Sequence, residues 1–196
     1  MGKIIIAVCI WFLIALIIGA YSLLATIPPP IPQLILFSLV LALLIIFWKS
    51  ESFQNICFDL DIRVLLSIHL SRFVGIYFLI LHSKGELPYA FAVPGGFGDI
   101  AVAITALLVS IFSPTKGGLG FIIYFAWNIL GLIDILYVVK TAARLAIADP
   151  QSMIALTELP LSLLPTFLVP IIIFTHVLIF VRLYNSYRKR DPLISL

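Results

Sequence analysis

Six apolar stretches, each about the length that a helix needs to cross a bilayer, fill most of this 196-residue chain. Charged residues make up only 11% of the sequence and nearly all fall between the stretches. A water-soluble core cannot hide the 63% of residues that are hydrophobic. The pattern therefore predicts an all-α integral membrane protein, a bundle of six transmembrane helices whose main partner is the lipid bilayer.

Proline, glycine and charged residues mark the limits of the predicted helices, which lie at about 4–27, 33–48, 62–82, 96–112, 119–140 and 159–183. Segments of alternating hydrophobicity, which a membrane β-barrel needs, do not occur in the sequence. Two prolines, Pro88 and Pro94, interrupt the apolar segment 87–96, which we interpret as unwound backbone beside a cavity or as an interfacial loop. The whole chain, 1–196, is predicted to be a single domain.

Lysine and arginine favour one side of this predicted bundle. With the N-terminus inside, the cytoplasmic flanks hold Lys3, Lys49, Arg63, Lys116, Arg182, Arg188, Lys189 and Arg190, and the opposite flanks hold Lys84, Lys140 and Arg144. Eight against three predicts that both termini are cytoplasmic and that the protein lies in a cell membrane, such as an inner membrane. The basic cluster after the last helix is typical of a flank that contacts anionic lipid, so no nucleic-acid partner is expected.

Three charged residues, Arg72, Asp99 and Asp134, lie inside apolar stretches, where an ionisable side chain indicates a functional site. Counted at about 1.5 Å per residue, their depths place Arg72 within reach of both aspartates. One guanidinium against two carboxylates leaves a surplus negative charge, which a proton, a cation or water must compensate. The alternative is a structural ion pair with the other aspartate at the wet interface, because Asp99 lies three residues from the predicted helix start.

Polar and small residues fall on one face of each of four helices when they are plotted at 100° per residue. The stripes are His69, Arg72, Gly75 and His82; Asp99, Ala103, Ala106 and Ser110; Gly120, Tyr124, Trp127, Asn128, Gly131 and Asp134; Glu158, Ser162, Pro165 and His176. Such stripes are typical of surfaces that face the interior of a bundle. We therefore add Asn128 and Glu158 to Arg72, Asp99 and Asp134 as candidate residues for binding a substrate or an ion.

Two histidines, His69 and His176, lie at matching depth, about seven residues from the cytoplasmic ends of their predicted helices. Paired histidines on facing helices can ligate a haem or a metal ion, which makes haem a candidate cofactor. A histidine inside a helix bundle can equally be a hydrogen-bonded interior residue, and this alternative stays open.

The string Gly96-Phe97-Gly98-Asp99 resembles the GxGD motif of the intramembrane aspartyl proteases, the presenilin-like and prepilin-peptidase-like enzymes. The resemblance covers four residues and implies that Asp99 is one of two catalytic carboxylates. In that family the partner aspartate precedes the motif, whereas Asp134 follows it in this chain.

Three classes of function remain. The first is proton- or cation-coupled movement of a small solute or ion, which the buried charges favour. The second is a membrane-embedded enzyme, either a haem redox protein with two histidine ligands or a GxGD-type protease. The third is an accessory subunit of a larger membrane complex, which needs no site. We favour transport, and because six helices are few for a monomeric transporter, we expect a homo-oligomer or a larger complex.

Overall fold

A computed structural model describes residues 2–114 and 117–189, and this part of the chain is entirely helical apart from its connections. The helices are α1 (Gly2–Ala20), α2 (Ile31–Lys49), α3 (Glu51–Asp59), α4 (Ile62–Ile68), α5 (Val74–Ser83), α6 (Tyr89–Phe112), α7 (Gly117–Ala148) and α8 (Val169–Lys189). Short 3₁₀ segments occur at Leu23–Thr26, His69–Phe73 and Pro150–Thr157, and a π-helical turn occurs at Leu164–Leu168.

Six helices of the described residues are long and apolar enough to cross a membrane, as the sequence predicts. Four of them are α1, α2, α6 and α7. The third span, Ile62–Ser83, joins α4, the 3₁₀ segment His69–Phe73 and α5 without interruption, and the sixth span is Leu164–Arg188. Lys116, Arg190 and the side chain of Lys189, which contribute to the predicted orientation, lie outside the described residues. The orientation therefore stays a prediction.

The start of α6 differs from the prediction. The helix begins at Tyr89 rather than at residue 96, so residues 89–96 are helical rather than unwound and Asp99 lies near mid-helix. Pro88 precedes the helix, where its missing N–H costs no helical hydrogen bond. Pro94 lies inside the helix and removes one such bond. Three residues earlier, the buried ring of Phe91 packs on that of Phe78 in α5, with centroids 5.0 Å apart. Packing against α5 therefore keeps this turn helical.

The other boundaries shift where local chemistry competes with the apolar pattern. The first helix ends at Ala20 rather than at residue 27, and α7 continues to Ala148, beyond the predicted residue 140. The polar stretch after α2 forms the unpredicted helix α3, whose first turn is capped by Ser50 accepting a hydrogen bond from the Phe53 N–H at 3.3 Å. Pro165 replaces regular α-helix at the start of the sixth span with the π-helical turn.

The first helix packs loosely, with Ala15 and Gly19 as its buried residues. Its specific attachment is the Trp11 indole N–H, which donates to the Thr166 carbonyl at 2.8 Å while the indole packs on Phe167. That carbonyl needs an outside donor because Pro170, four residues later, has no N–H to offer it. The indole thus satisfies a backbone group that the helix itself leaves open.

Arg182 differs from its predicted role as a flank residue in contact with lipid headgroups. Its side chain is buried, and Nη1 donates to the Leu60 carbonyl at 2.6 Å. Leu60 follows the last residue of α3, where helix-end carbonyls lack partners within the helix. Arg182 therefore joins the sixth span to the junction between α3 and α4.

Buried apolar side chains form layers above and below the polar residues of the bundle. One cluster gathers around Leu66, Trp127 and Phe174, towards the N-terminal end of the third span. Another gathers around Phe78, Phe91 and Met153, towards its opposite end. Arg72 lies between these two clusters in sequence and in space, so the polar site occupies the middle of the bundle.

Candidate functional site

Two glycines bring the third span and α6 into backbone contact. A Cβ placed on Gly75 would collide with the Gly96 carbonyl oxygen, and a Cβ placed on Gly96 would lie 2.8 Å from the Gly75 carbonyl oxygen. Arg72 lies three residues before the first glycine and Asp99 three residues after the second. Since the two helices run in opposite directions, both side chains lie on the same side of this crossing. The glycine contact therefore sets Arg72 and Asp99 at one level.

Arg72 is hydrogen-bonded through all three of its guanidinium nitrogens. Nε donates to Asp99 Oδ1 at 2.7 Å, Nη1 donates to the Gly131 carbonyl at 3.0 Å, and Nη2 donates to Asp134 Oδ2. The Arg72 side chain is only 1% exposed, so α6 and α7 hold it completely within the bundle. The predicted cluster of one arginine and two aspartates thus exists, with a backbone carbonyl as its fourth member.

The two aspartates have different surroundings. The Asp99 side chain is 4% exposed, whereas that of Asp134 is 21% exposed. Gly98 makes room for Asp134, because a Cβ at Gly98 would collide with Asp134 Oδ1. Asp134 is therefore the more accessible carboxylate, and the pair carries two negative charges against the single positive charge of Arg72.

A second polar cluster adjoins the first on the third span and α7, and includes residues of the sixth span in place of α6. The Asn128 side chain accepts a hydrogen bond from His176 Nδ1 at 2.8 Å and donates to the His176 carbonyl at 3.0 Å. Thr175 Oγ1 donates to the Ile172 carbonyl, so His69 Nε2 must donate to Thr175 Oγ1 at 3.2 Å. These bonds leave His69 Nδ1 and His176 Nε2 as buried acceptors without a described partner.

The two imidazole rings contact each other, with centroids 4.4 Å apart and planes inclined at 56°. A haem iron between two histidines needs bonds of about 2 Å on each side, which separates the ring centres by roughly 6 Å. The observed contact leaves no room for a haem plane, so the geometry does not support the haem interpretation. Among the residues described, no group of three or more His, Cys, Asp or Glu side chains could hold a metal ion.

The GxGD string has a packing explanation at each of its glycines, since Gly96 contacts the third span and Gly98 faces Asp134. In an aspartyl-protease site two carboxylates share one proton. Here both Asp99 and Asp134 instead bind the guanidinium of Arg72. The arrangement is that of a charge cluster and gives the protease interpretation no support.

Of the other predicted site residues, Asn128 joins the histidine cluster and Glu158 joins neither cluster. Glu158 is exposed in the connection before the sixth span and borders a second pocket, of about 390 Å³, with Gly85 and Pro88. Sequence reasoning missed the Gly131 carbonyl and Thr175. The position of Gly131 on the polar stripe, between Asn128 and Asp134, placed the residue in the interior but did not show that its carbonyl accepts a hydrogen bond.

A cavity of about 170 Å³ opens beside the charge cluster. Its lining is mainly apolar and comes from every span but the first, together with the turn after α1 and the 3₁₀ segment before the sixth span. The polar residues that reach it include Gln33, Arg72 and Asp99. The buried Gln33 Oε1 has no hydrogen-bond partner within the described part of the chain.

Residues 29–184 match the family described as "Domain of unknown function (DUF8737)". The chain belongs to this family. The DUF8737 match contains the third span, α6, α7 and most of the sixth span, and therefore both polar clusters. Comparison with curated proteins and with solved structures gave no match.

Proposed function

We propose that this DUF8737 protein is a multi-pass membrane protein that couples the movement of protons to the movement of a small solute, with Arg72, Asp99 and Asp134 as the coupling site. The observation that carries the proposal is the arginine bound to two aspartates at mid-helix, which leaves one uncompensated negative charge. In hydrocarbon such a charge is costly, and binding a proton or a cation relieves it.

Asp134 is the residue that we assign to proton exchange. Its side chain keeps an exposed edge, whereas Asp99 is enclosed and forms the 2.7 Å bond to Arg72. Among described side chains, the charged groups facing Asp134 are Arg72 and Asp99; the His176 ring of the sixth span packs against Gly131, about one helical turn away. When Asp134 is protonated, Arg72 and Asp99 form a neutral pair.

The same proposal includes the orientation with both termini in the cytoplasm and a location in a cell membrane. It rests on the excess of lysine and arginine in one set of flanks. A homo-oligomer is the working unit that we propose, because six spans offer little protein to surround a solute path. The molar mass of the purified complex, measured by light scattering, tests that part.

Infrared difference spectra of the purified protein, recorded as the pH is lowered, test the coupling site. A protonated carboxylic acid gives a carbonyl band that a carboxylate lacks. Every carboxylate that becomes protonated contributes to this band, so the test is of its components: we expect the wild type to show a component that Asp134→Asn removes and Asp99→Asn retains. The exposed residue Asp149 supplies the control, since Asp149→Asn preserves its cap on Gln151 and should leave the component assigned to Asp134 unchanged.

Two results would contradict the proposal. One is the absence of any protonation band that depends on Asp99 or Asp134. The other is a band that Asp99→Asn removes and Asp134→Asn leaves intact, which would reverse the assignment of the exchanging group.

A further inference from the structure

The cavity beside the charge cluster has the size and the walls of a binding site for a compact apolar group. At about 170 Å³ it is comparable to engineered cavities of roughly 150 Å³ that bind benzene. Leu36, Val139 and Val169 contribute aliphatic wall, and the contacting rings of Phe78 and Phe91 contribute aromatic wall. A ligand that fills this space has a small aromatic or branched hydrocarbon body.

Three of the polar side chains that line the cavity offer hydrogen-bond acceptors. Asp99 supplies a carboxylate, and Gln33 Oε1 is a buried amide oxygen without a described partner. The Ser71 hydroxyl donates its hydrogen bond to the Ile68 carbonyl, so towards a ligand its oxygen can only accept. Arg72 also lines the cavity, and its bonds to Asp99, Asp134 and the Gly131 carbonyl use three of its five N–H groups.

The charged residues beside the cavity determine whether a cation or an anion can bind there. The Asp99 carboxylate, together with the negative charge that Asp134 regains when it loses its proton, favours a cation. An anion would have to draw Arg72 away from its three acceptors. A protonated amine has three N–H donors and a positive charge, and both match acceptor groups around an apolar space. Aromatic walls add a favourable interaction with a cation.

We propose that this cavity binds a small hydrophobic ammonium compound, with its cationic nitrogen at Asp99 and Gln33 and its hydrocarbon body between Phe78, Phe91 and the aliphatic wall. This inference rests on the proposed function and names its substrate class. The ammonium ion on Asp99 leaves Arg72 paired with Asp134, which then releases its proton to water. The cluster is electrically neutral in both states, so the protein exchanges one proton for one organic cation.

Three probes of equal ring size separate the contributions of shape and charge. Benzylamine at neutral pH is a cation, toluene is uncharged and phenylacetate is an anion. We expect purified wild-type protein, studied by calorimetry, to bind benzylammonium roughly tenfold or more tightly than either other probe. Equal or tighter binding of toluene would identify a pocket for any apolar group, and tighter binding of phenylacetate would make Arg72 the anchor. Either result, or no binding of benzylammonium, overturns the inference.

A matched pair of variants tests the location. Ala142 is partly buried at the cavity wall, so Ala142→Leu should fill the space and remove benzylammonium binding. Ala101 is exposed on the outer face of α6, so Ala101→Leu adds the same volume away from the cavity and should bind like the wild type. Circular dichroism verifies that both variants are folded. Unchanged binding by folded Ala142→Leu would place the site elsewhere and contradict the inference.

Proton release in weakly buffered solution tests the exchange. Adding benzylammonium at mildly acidic pH should release about one proton per ligand bound, and Asp134→Asn should abolish that release while retaining binding. Binding without release contradicts the exchange. If benzylammonium does not bind but the Asp134 carbonyl band persists, this inference fails and the proposed function stands. If benzylammonium binds but no such band exists, proton coupling itself is wrong.

Discussion

The contact between Gly75 and Gly96 gives the sharpest test of how the site is built. In Gly96→Ala, the new Cβ would lie 2.8 Å from the Gly75 carbonyl oxygen and 3.1 Å from two carbon atoms of Leu79. Carbon–oxygen contacts are normally about 3.3–3.6 Å, so the helices must separate by at least roughly 0.5 Å. The same separation would stretch the 2.7 Å bond between Arg72 and Asp99 to about 3.2 Å, the outer limit of a normal hydrogen bond.

The neighbouring glycine supplies the control. A Cβ on Gly95 meets only Val138 side-chain atoms at 3.5 and 3.9 Å, which are ordinary contacts. Both substitutions gain the same helix propensity, about 0.5–1 kcal/mol. The difference between the unfolding free energies of the two variants therefore measures the cost of overpacking at residue 96. We expect Gly96→Ala to be less stable than Gly95→Ala by about 1–3 kcal/mol.

Denaturant titration in detergent, followed by circular dichroism, measures both variants under identical conditions. Gly96→Ala should unfold first and Gly95→Ala should be at least as stable as the wild type. Equal stability of the two variants would refute the close crossing, and with it the reason given for the common level of Arg72 and Asp99.

Three further predictions concern parts of the molecule outside the two polar clusters. Trp11→Phe keeps a ring against Phe167 but loses the bond to Thr166, so the unfolding free energy should fall by about 0.5–1.5 kcal/mol; an unchanged value would contradict the tether. Burial raises the pKa of the Cys57 thiol to about 11. Alkylation of folded protein should therefore be slow at neutral pH and accelerate up to that value, and stability should fall between pH 9.0, the thiol's ordinary pKa, and about 11; fast labelling at neutral pH would refute this. Reporter fusions should place both termini in the cytoplasm and the loop 84–86 outside, and an external C-terminus would reverse the orientation.

The number of spans and the members of the charge cluster could be predicted from the sequence because both depend on strong, local energies. A segment of about twenty apolar residues favours the hydrocarbon core of a bilayer, and a charged side chain within it needs a partner of opposite charge. Arg72, Asp99 and Asp134 are the charged residues that lie inside the apolar stretches. Because each needs a partner of opposite charge, the sequence predicts that they lie close together. The start of α6 did not follow, because Pro94 normally ends helices in water. In apolar surroundings the alternative leaves backbone groups unpaired, which costs more.

The remaining errors have geometric causes. Glu158 was assigned by extending a helical wheel through residues 158–163, which the structure does not form as regular α-helix. The Gly131 carbonyl is a backbone group, and the type of residue does not predict that its backbone carbonyl accepts a hydrogen bond from a side chain. The contact between His69 and His176 followed from their matching depth. The 4.4 Å spacing of their rings depends on how closely the helices approach at Gly131, where a Cβ would lie 2.7 Å from the His176 ring.

Four glycines, Gly75, Gly96, Gly98 and Gly131, stand where a methyl group would strike a member of the two clusters or the backbone beside them. A change of any one of them to alanine requires atoms of a neighbouring helix to shift. We therefore expect the glycines and the charges to be inherited together, while the lipid-facing positions around them drift among apolar residues.

Distant descendants of the same ancestor would then share little overall identity but keep a spaced pattern. It consists of an arginine three residues before a glycine, then a Gly-x-Gly-Asp string, then an asparagine, a glycine and an aspartate at intervals of three. A search for this pattern within apolar segments would gather lineages that overall sequence similarity leaves apart.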